Sequence, residues 1–404
     1  MTSTAPLSPP IAPGTSAFIP LCTPEIAGNE WAYVRDCLES GWVSSAGGYV
    51  DRFERALAEV AGTRSAVATV NGTAALHLAC LIVGIRPGDE VLVSALTFIA
   101  PANAIRYAGA WPVFVDAEAD YWQMDVAKAR QFLEVECSRE GTVVRNRSTG
   151  RPVRAILPVH VLGHPVDMAP LLALAREFGL VVIEDATESL GATYRDRPVG
   201  QLGEVACFSF NGNKLITTGG GGMLVTNNEA LGQRARYLST QAKDDAVEYV
   251  HGAVGYNYRL TNIQAAMGVA QMEQLSKHLA AKRRIAERYG MACHDIPGLT
   301  PMREAPWARS AHWMFTVLVD EGAFGMDSRG LLRHLATTGI QARPLWEPLH
   351  RSPAHPGAPC TDCSVAEHLN RVALSLPCSV GLSEADQDTV IAALRSARAS
   401  GRST

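Results

Sequence analysis

Short runs of apolar, often β-branched residues alternate with segments of helical periodicity between residues 65 and 225. Runs of this length with turn residues on either side predict buried strands, and the helical segments between them predict crossover connections. Strands connected in this way form a mostly parallel sheet with helices on both faces. This part of the chain therefore predicts an α/β domain. The predicted strands cover residues 66–70, 90–94, 112–116, 155–160, 180–185, 206–210 and 222–226.

The connections between these strands carry recognisable helix signals. One helix is predicted over residues 73–83, and a second over residues 167–178, where Asp167 stands at the N-cap position and Gly179 follows the C-terminus. Residues 137–154 are rich in Arg, Ser and Gly and interrupt the alternation. They predict a surface excursion or a hairpin between two units of the sheet, and not a domain boundary.

The pattern changes after a helix predicted over residues 262–293, which ends at the turn Asp295-Ile296-Pro297-Gly298. A strand at 314–319 and helices at 328–338 and 383–398 then predict a smaller α+β domain. The chain has 404 residues, more than one core normally requires. We expect an arm over residues 1–20, a large domain over 21–296 and a small domain over 297–404.

Composition excludes several classes of protein. The net charge is −4 and the basic residues are spread along the chain, so no patch is expected to neutralise a nucleic-acid backbone. Residues 1–20 contain no Lys or Arg and no sustained apolar stretch, which predicts a disordered arm and not a secretion signal. The longest apolar run, at residues 74–85, is too short to cross a bilayer. We expect a cytoplasmic protein without membrane contact.

The nine cysteines form an odd and scattered set, which predicts reduced thiols and no disulfide framework. Cys360 and Cys363 are the one close pair in the sequence, and they lie in a Pro-rich segment. No second CxxC or CxxH motif follows them. We therefore interpret them as two loop thiols and expect no metal site.

Three sequence features carry chemistry. Asn71-Gly72-Thr73 stands where a strand ends and a helix begins, and such a helix start offers free N–H groups and a positive dipole end to an anion. Asp185 closes an apolar strand, at the edge where open α/β sheets bind ligands. A carboxylate there could pair with a cation such as a protonated pyridine nitrogen. The alternatives are an ordinary turn at the first site and a helix-capping aspartate at the second.

The third feature is Lys214, which follows a predicted buried strand and precedes a glycine run at residues 219–222. A partly buried lysine loses its proton readily, as an imine-forming amine must. The glycines allow a ligand or a neighbouring subunit to approach the backbone closely. An exposed turn lysine is the alternative.

Six segments, in this order, resemble the DegT/DnrJ/EryC1/StrS family of sugar aminotransferases over nearly the whole chain. They are NGTAALHLA, LTFIAPANAIRYAGAWPVFVD, ILPVHVLGHPVDM, VVIEDATESLGA, FSFNGNK with its glycine run, and GYNYRLTNIQAAMG. The resemblance implies a pyridoxal 5'-phosphate (PLP) enzyme of fold type I, as in aspartate aminotransferase. The implied fold has a mostly parallel sheet in a large domain and a smaller C-terminal α+β domain.

The resemblance also implies roles for individual residues. Lys214 is expected to carry the cofactor as a Schiff base, Asp185 to pair with the pyridine nitrogen, and Phe98 to stack on the cofactor ring. The active unit is expected to be a homodimer with shared active sites, in which Asn257 reaches the phosphate of the partner's cofactor. The residues expected to bind the phosphate within the same subunit are Gly72, Thr73 and Ser209.

One residue departs from the family pattern. Three residues after the ring aspartate the family usually has Gln or His, but this chain has Glu188. This position is expected to contact the phenolic oxygen of the cofactor, where a glutamate must be protonated or find a cation. The string GWVSSAGGYVDRFE, with EDATESLG and the glycine run, resembles the branch that aminates UDP-4-keto-6-deoxy-N-acetylhexosamines.

These resemblances predict transamination of a nucleotide-linked keto sugar, with L-glutamate as the amino donor and Lys214 as the proton carrier. A cyclitol or an aminohydroxybenzoate precursor is an alternative substrate. A deoxysugar dehydratase would have His in place of Lys214, and a non-catalytic regulator would need a DNA-binding domain that the sequence does not indicate. Candidate sugar-binding residues are Trp42, Ser44, Ser45, His160, His164, Arg343 and His350, although a structural role is an alternative for each histidine.

Overall fold

The computed structural model describes residues 18–245 and 247–401, with side chains up to residue 398. Its strands are β1 (Ser65–Thr69), β2 (Glu90–Ser94), β3 (Trp111–Val115), β4 (Cys137–Glu140), β5 (Val143–Asn146), β6 (Pro152–Leu157), β7 (Val181–Asp185), β8 (Thr193–Tyr194), β9 (Arg197–Pro198), β10 (Val205–Ser209), β11 (Gly222–Thr226), β12 (Leu299–Pro301), β13 (Ala308–Arg309), β14 (Phe315–Val319), β15 (Arg343–Pro344) and β16 (Ala373–Leu376).

The α-helices of the same part of the chain connect these strands or cover them. They are α1 (Glu30–Ser40), α2 (Gly48–Ala61), α3 (Gly72–Ile82), α4 (Ala100–Tyr107), α5 (Val126–Gln131), α6 (Met168–Phe178), α7 (Glu229–Ser239), α8 (Asn262–Glu273), α9 (Leu275–His294), α10 (Glu321–Phe324), α11 (Ser328–Thr337), α12 (Ser364–Val372) and α13 (Glu384–Gly401).

The largest sheet has the strand order β1-β11-β10-β7-β6-β2-β3. Strands β10, β7, β6, β2 and β3 are parallel to one another, whereas β11 is antiparallel to both β1 and β10. The mostly parallel α/β sheet is therefore confirmed, and each of its seven predicted strands is present, with bounds that differ from the predicted ones by at most three residues. The predicted hairpin is also present, because β4 pairs with β5, which continues onto β6.

Local signals account for the ends of several helices. The side chain of Asn71 accepts a hydrogen bond from the Ala74 amide and caps α3, and Gly179 ends α6 with φ at 66°. Asp167 stands at the N-cap of α6 as predicted, but its carboxylate accepts from the Tyr194 hydroxyl at 2.5 Å and not from the helix backbone. A tertiary contact has taken the place of the expected cap.

A second, four-stranded sheet has the antiparallel order β12-β14-β16-β15 and includes the strand predicted near residue 315. One continuous apolar cluster contains Val93 of the large sheet and Val317 of this one, so the core does not itself mark a boundary. The division into domains at residue 297 stays a prediction.

The single helix predicted over residues 262–293 is wrong, because it breaks at Gln274 into α8 and α9. Gln274 has ψ near −2°, and its amide bonds back to the Gln271 carbonyl. The two halves pack on different partners, α8 on α1 and α2 and α9 on β12. Sequence periodicity does not report that difference.

The prediction of disorder is wrong for residues 18–20 of the arm. Residues 1–17 lie outside the described residues. Ile19 is buried, its amide donates to the Gly339 carbonyl, and its carbonyl accepts from the Gln341 amide. Pairing to the β15 region therefore orders the chain from residue 18 onward. No helix in the described part of the chain is both long and apolar enough to cross a membrane.

Candidate active site

The carboxyl ends of β1, β7 and β10 meet at one edge of the large sheet, and a cavity of about 300 Å³ opens there. Parallel strands bring residues that are distant in sequence to the same edge, which is where open α/β sheets bind ligands. The lining residues are Asn71, Gly72, Thr73, Leu76, Phe98, Ala100, Thr187, Glu188, Ser209, Asn211, Asn213, Lys214, Gly220, Gly221, Trp313 and Trp346.

Lys214 reaches into this cavity from the turn after β10, where its amide donates to the Asn211 carbonyl. Its Nζ lies 3.6 Å from Oε1 of Glu188 and 4.1 Å from the ring centroid of Trp313. The lysine side chain is only 14% exposed. An amine held in this way stands in reach of a ligand and apart from bulk water.

One end of the cavity is built for an anion. Helix α3 begins at Gly72, and the first N–H groups of a helix have no acceptor within it. A Cβ on Gly72 would stand 2.9 Å from Cβ of Ser209, and one on Gly222 would stand 2.4 Å from the Asn71 carbonyl carbon. Only glycine allows β11 and β10 to approach the helix start this closely, so Thr73 and Ser209 lie together with the free N–H groups.

A buried carboxylate lies behind the lining residues of this cavity. Asp185 ends β7 and is 2% exposed, and burial raises the pKa of its carboxyl above the usual value. Hydrogen bonds from Thr187 and the proximity of Lys214 oppose this shift. A cationic group placed against Asp185 would relieve the cost of burying its charge.

Glu188 is a second buried carboxyl, and it faces Lys214. Its Oε2 accepts from the Leu162 amide at 2.8 Å, while Leu162 itself is held at a φ of 60°. Burial raises the pKa of Glu188 to about 7, against the opposing effects of Lys214 and the Leu162 amide. The Glu188 carboxyl therefore gains or loses its proton near neutral pH beside the Lys214 amine.

These residues fit pyridoxal phosphate. The start of α3 with Ser209 suits a phosphate, the buried carboxylate of Asp185 suits a protonated ring nitrogen, and Lys214 lines the same cavity. Phe98 is 55% exposed and forms part of the cavity wall, as a stacking aromatic must. The expected cofactor contacts in one subunit thus come together, except that Asp185 lies behind the lining residues.

Two histidines proposed for sugar binding do not reach the cavity. His160 is fully buried, with Nε2 3.1 Å from Glu184 and Nδ1 accepting from the Val166 amide. His164 donates to the Pro165 carbonyl and accepts from the Ala305 amide, and burial lowers the pKa of its ring to about 4. Both ring nitrogens of each histidine are engaged within the fold, which favours the structural alternative.

His350 does not line the cavity either, and its Nε2 lies 3.0 Å from Oε1 of Glu367. Trp42, Ser44 and Ser45 belong to the loop between α1 and α2 and do not line the cavity of their own chain. That loop is fixed by Asn262, whose side chain donates to the Trp42 carbonyl and whose amide donates to the Ser44 carbonyl.

Arg343 lies in a second cavity of about 490 Å³ that adjoins the first. The two cavities share Phe98, Asn213, Trp313 and Trp346 as lining residues. The rings of the two tryptophans are nearly parallel, with centroids 6.4 Å apart.

Sequence reasoning missed both tryptophans. Trp346 stands in a loop between Pro344 and Pro348, three residues after the candidate Arg343, and this setting was the available signal. Trp313 precedes β14 and has no comparable signal.

An anion-binding helix start, a buried aspartate and a lysine at the carboxyl edge of a mostly parallel sheet define a PLP-dependent enzyme of fold type I, here an aminotransferase. Residues 24–395 match the DegT/DnrJ/EryC1/StrS aminotransferase family, and the chain belongs to this family. The family assignment argues against the alternative that the protein is a non-catalytic regulator.

Two relatives are similar over most of their length. The chain is 42% identical over 377 residues to the GDP-perosamine synthase of Caulobacter vibrioides, covering 93% of this chain and 97% of the relative. It is 39% identical to the GDP-perosamine synthase of Escherichia coli O157:H7, covering 84% and 87%. The crystal structure of a DegT DnrJ EryC1 StrS aminotransferase from Brucella abortus has a TM-score of 0.83 at 30% identity, covering 91% and 95%.

Proposed function

We propose that the enzyme transfers the amino group of L-glutamate to the keto carbon of a nucleotide-linked sugar. The observation that carries the proposal is the second cavity, which adjoins the Lys214 cavity and has Arg343 and two tryptophans in its wall. A diphosphate can pair with the guanidinium, and sugar or base rings can pack on the aromatic faces. A GDP-linked keto sugar is the first candidate, because both relatives above are named GDP-perosamine synthases.

A UDP-4-keto-6-deoxy-N-acetylhexosamine is the second candidate, favoured by the segment at residues 41–54. In either case the bound pyridoxal phosphate supplies an electron sink and carries the amino group between donor and acceptor. The rest of the chemistry belongs to the residues of the chain.

Nζ of Lys214 takes a proton from the donor Cα and returns one at the acceptor carbon, as general base and then general acid. Asp185 would hold the ring nitrogen of the bound cofactor protonated, and the N–H groups at the start of α3 would hold its phosphate. Glu188, 3.6 Å from the amine, keeps a proton available beside Lys214. Phe98, Trp313 and Trp346 exclude water from the space around the amine.

The test is a panel of keto sugars linked to GDP or UDP, each incubated with L-glutamate and the cofactor-loaded protein. Mass spectrometry and NMR identify any amino sugar formed, and Lys214→Ala serves as the inactive control. We expect a GDP-linked keto sugar to be aminated at the highest kcat/KM. Amination of a cyclitol or an aminohydroxybenzoate precursor, with every nucleotide sugar left unchanged, would refute the proposal.

A further inference from the structure

Lys282 is a buried lysine to which the proposed chemistry assigns no role. It lies on α9 and is 1% exposed. Among the described residues no carboxylate lies within ion-pair distance of its Nζ. A buried amino group is costly unless its N–H bonds are satisfied, so its partners indicate what the site requires.

Those partners come from two other segments. Nζ of Lys282 donates to the Trp313 carbonyl at 2.8 Å and to the Cys378 carbonyl at 2.5 Å. The thiols of Cys378 and Cys22 lie 3.6 and 4.0 Å from the same nitrogen. One side chain on α9 therefore connects the segment before β14, the segment after β16 and the N-terminal segment.

Two of these partners lead to the residue before the cofactor lysine. The Asn213 carbonyl accepts from the indole N–H of Trp313 at 2.8 Å and from the thiol of Cys22 at 3.4 Å. The Trp313 ring also lies 4.1 Å from Nζ of Lys214. The donors that hold the Asn213–Lys214 peptide are thus themselves held by Lys282.

An apolar side chain of similar length would fill this space but would leave the Trp313 and Cys378 carbonyls without this donor. We propose that Lys282 is a positioning residue, which fixes the backbone before Lys214 through Trp313 and Cys22. This role goes beyond the proposed function, since it does not depend on which sugar is aminated. A misplacement of about 1 Å at a reacting group can lower a rate on the order of 100-fold.

The test compares Lys282→Met with Lys277→Met, a matched control on the exposed face of the same helix. The first readout uses cofactor-free protein and an amine-acylating reagent, with the modification of Lys214 followed by mass spectrometry. We expect Lys282→Met to label Lys214 at least about threefold faster than wild type, and Lys277→Met to label it at the wild-type rate. The glutamate half-reaction is the second readout. Its rate constant is expected to fall on the order of 10- to 100-fold, with a much smaller change in the glutamate concentration at half-saturation.

Trp313→Phe and Cys22→Ala remove the two donors to Asn213 separately, and they decide the question if Lys282→Met does not fold. Faster labelling of Lys214 in these variants supports the proposal. Because all three substitutions act through one carbonyl, the Lys282→Met/Trp313→Phe double variant should label little faster than the faster single variant. If Lys214 is labelled at the wild-type rate in folded Lys282→Met, or in both donor variants, the positioning role is wrong. This conclusion holds whether or not any sugar is aminated.

Discussion

Glu188 departs from the family pattern, and the charge of its carboxyl changes near neutral pH. Its carboxyl is buried, bonds the Leu162 amide, and lies 3.6 Å from Lys214 and close to Asp185. Burial raises its pKa from 4.5 to about 7. At neutral pH this position therefore changes between an acceptor that pairs with a cation and a donor of a hydrogen bond.

The raised pKa of Glu188 predicts how the free energy of unfolding depends on pH. Between pH 4.5 and 7 the folded protein holds a proton that the unfolded chain has released, so this contribution to stability is lost as the pH rises through that window. Glu188→Gln has no such proton, and its stability relative to wild type should rise by roughly 3 kcal/mol between pH 4.5 and 8. Urea unfolding of cofactor-free protein measures the difference, with the exposed Glu59→Gln as the control variant.

The same variant tests the contact with the cofactor. We expect cofactor-loaded Glu188→Gln to keep its cofactor and some activity, while the pH at which the visible absorbance changes is shifted, because the coupled proton is gone. An identical absorbance titration in variant and wild type would show that Glu188 acts only within the loop after β7.

At the scale of elements, the site depends on how closely β11 approaches the start of α3. A Cβ at Gly222 would stand 2.4 Å from the Asn71 carbonyl carbon and 2.5 Å from the Gly72 nitrogen, and neither backbone atom can rotate away. Gly222→Ala must therefore displace the N–H groups assigned to the phosphate.

We predict that Gly222→Ala destabilises the protein by about 1–3 kcal/mol and weakens cofactor retention severalfold. Equilibrium dialysis against pyridoxal phosphate measures retention, and thermal unfolding measures stability. Gly212→Ala is the control, since a Cβ there meets no atom within 4 Å. Equal retention in the two variants would contradict the assignment of this corner to the phosphate.

The elements that could be predicted are those whose signal is local. Strands such as β2 and β7 are short apolar runs between turn residues, and Asp185 and Lys214 follow from their places beside such strands. The break at Gln274 could not be predicted, because it reflects two packing surfaces and no Gly or Pro marks it.

The other differences between the predicted and the observed site residues also come from tertiary packing. His160 follows a strand end, as a ligand-binding residue would, but the buried carboxylate of Glu184 engages its ring. Trp313 joins the site only because the segment before β14 folds back over the sheet edge and bonds Asn213. Such tertiary contacts depend on partners far away in sequence, which local sequence patterns do not reveal.

At the scale of the whole molecule, the chain exposes apolar side chains that a soluble monomer rarely leaves uncovered. Trp31 is 81% exposed and Leu38 61% exposed on α1, Trp42 is exposed in the next loop, and Tyr107 is exposed at the end of α4. Several large exposed apolar side chains of this kind are typical of an interface. We propose that a second copy of the chain covers it.

Asn257 is placed for a role in that second copy. Tyr256 and Tyr258 pack their rings against His77, and Asn257 between them is exposed and does not line the cavity of its own chain. Neighbouring residues of an extended segment point to opposite sides, so the amide projects away from the core. We propose that it reaches the phosphate of the partner's cofactor.

A shared site predicts that two inactive variants complement each other. In a mixed dimer of Lys214→Ala and Asn257→Ala, one of the two sites has both its lysine and the partner's asparagine intact. Since half of the dimers are mixed after full exchange of equal amounts, activity should return to about a quarter of wild type. Replacing Lys214→Ala by the Lys214→Ala/Asn257→Ala double variant removes the intact site, and that mixture should stay inactive. Subunit exchange is measured by mass spectrometry with isotopically labelled protein. If exchange is complete and the first mixture also stays inactive, or if Asn257→Ala alone is fully active, each site belongs to one chain.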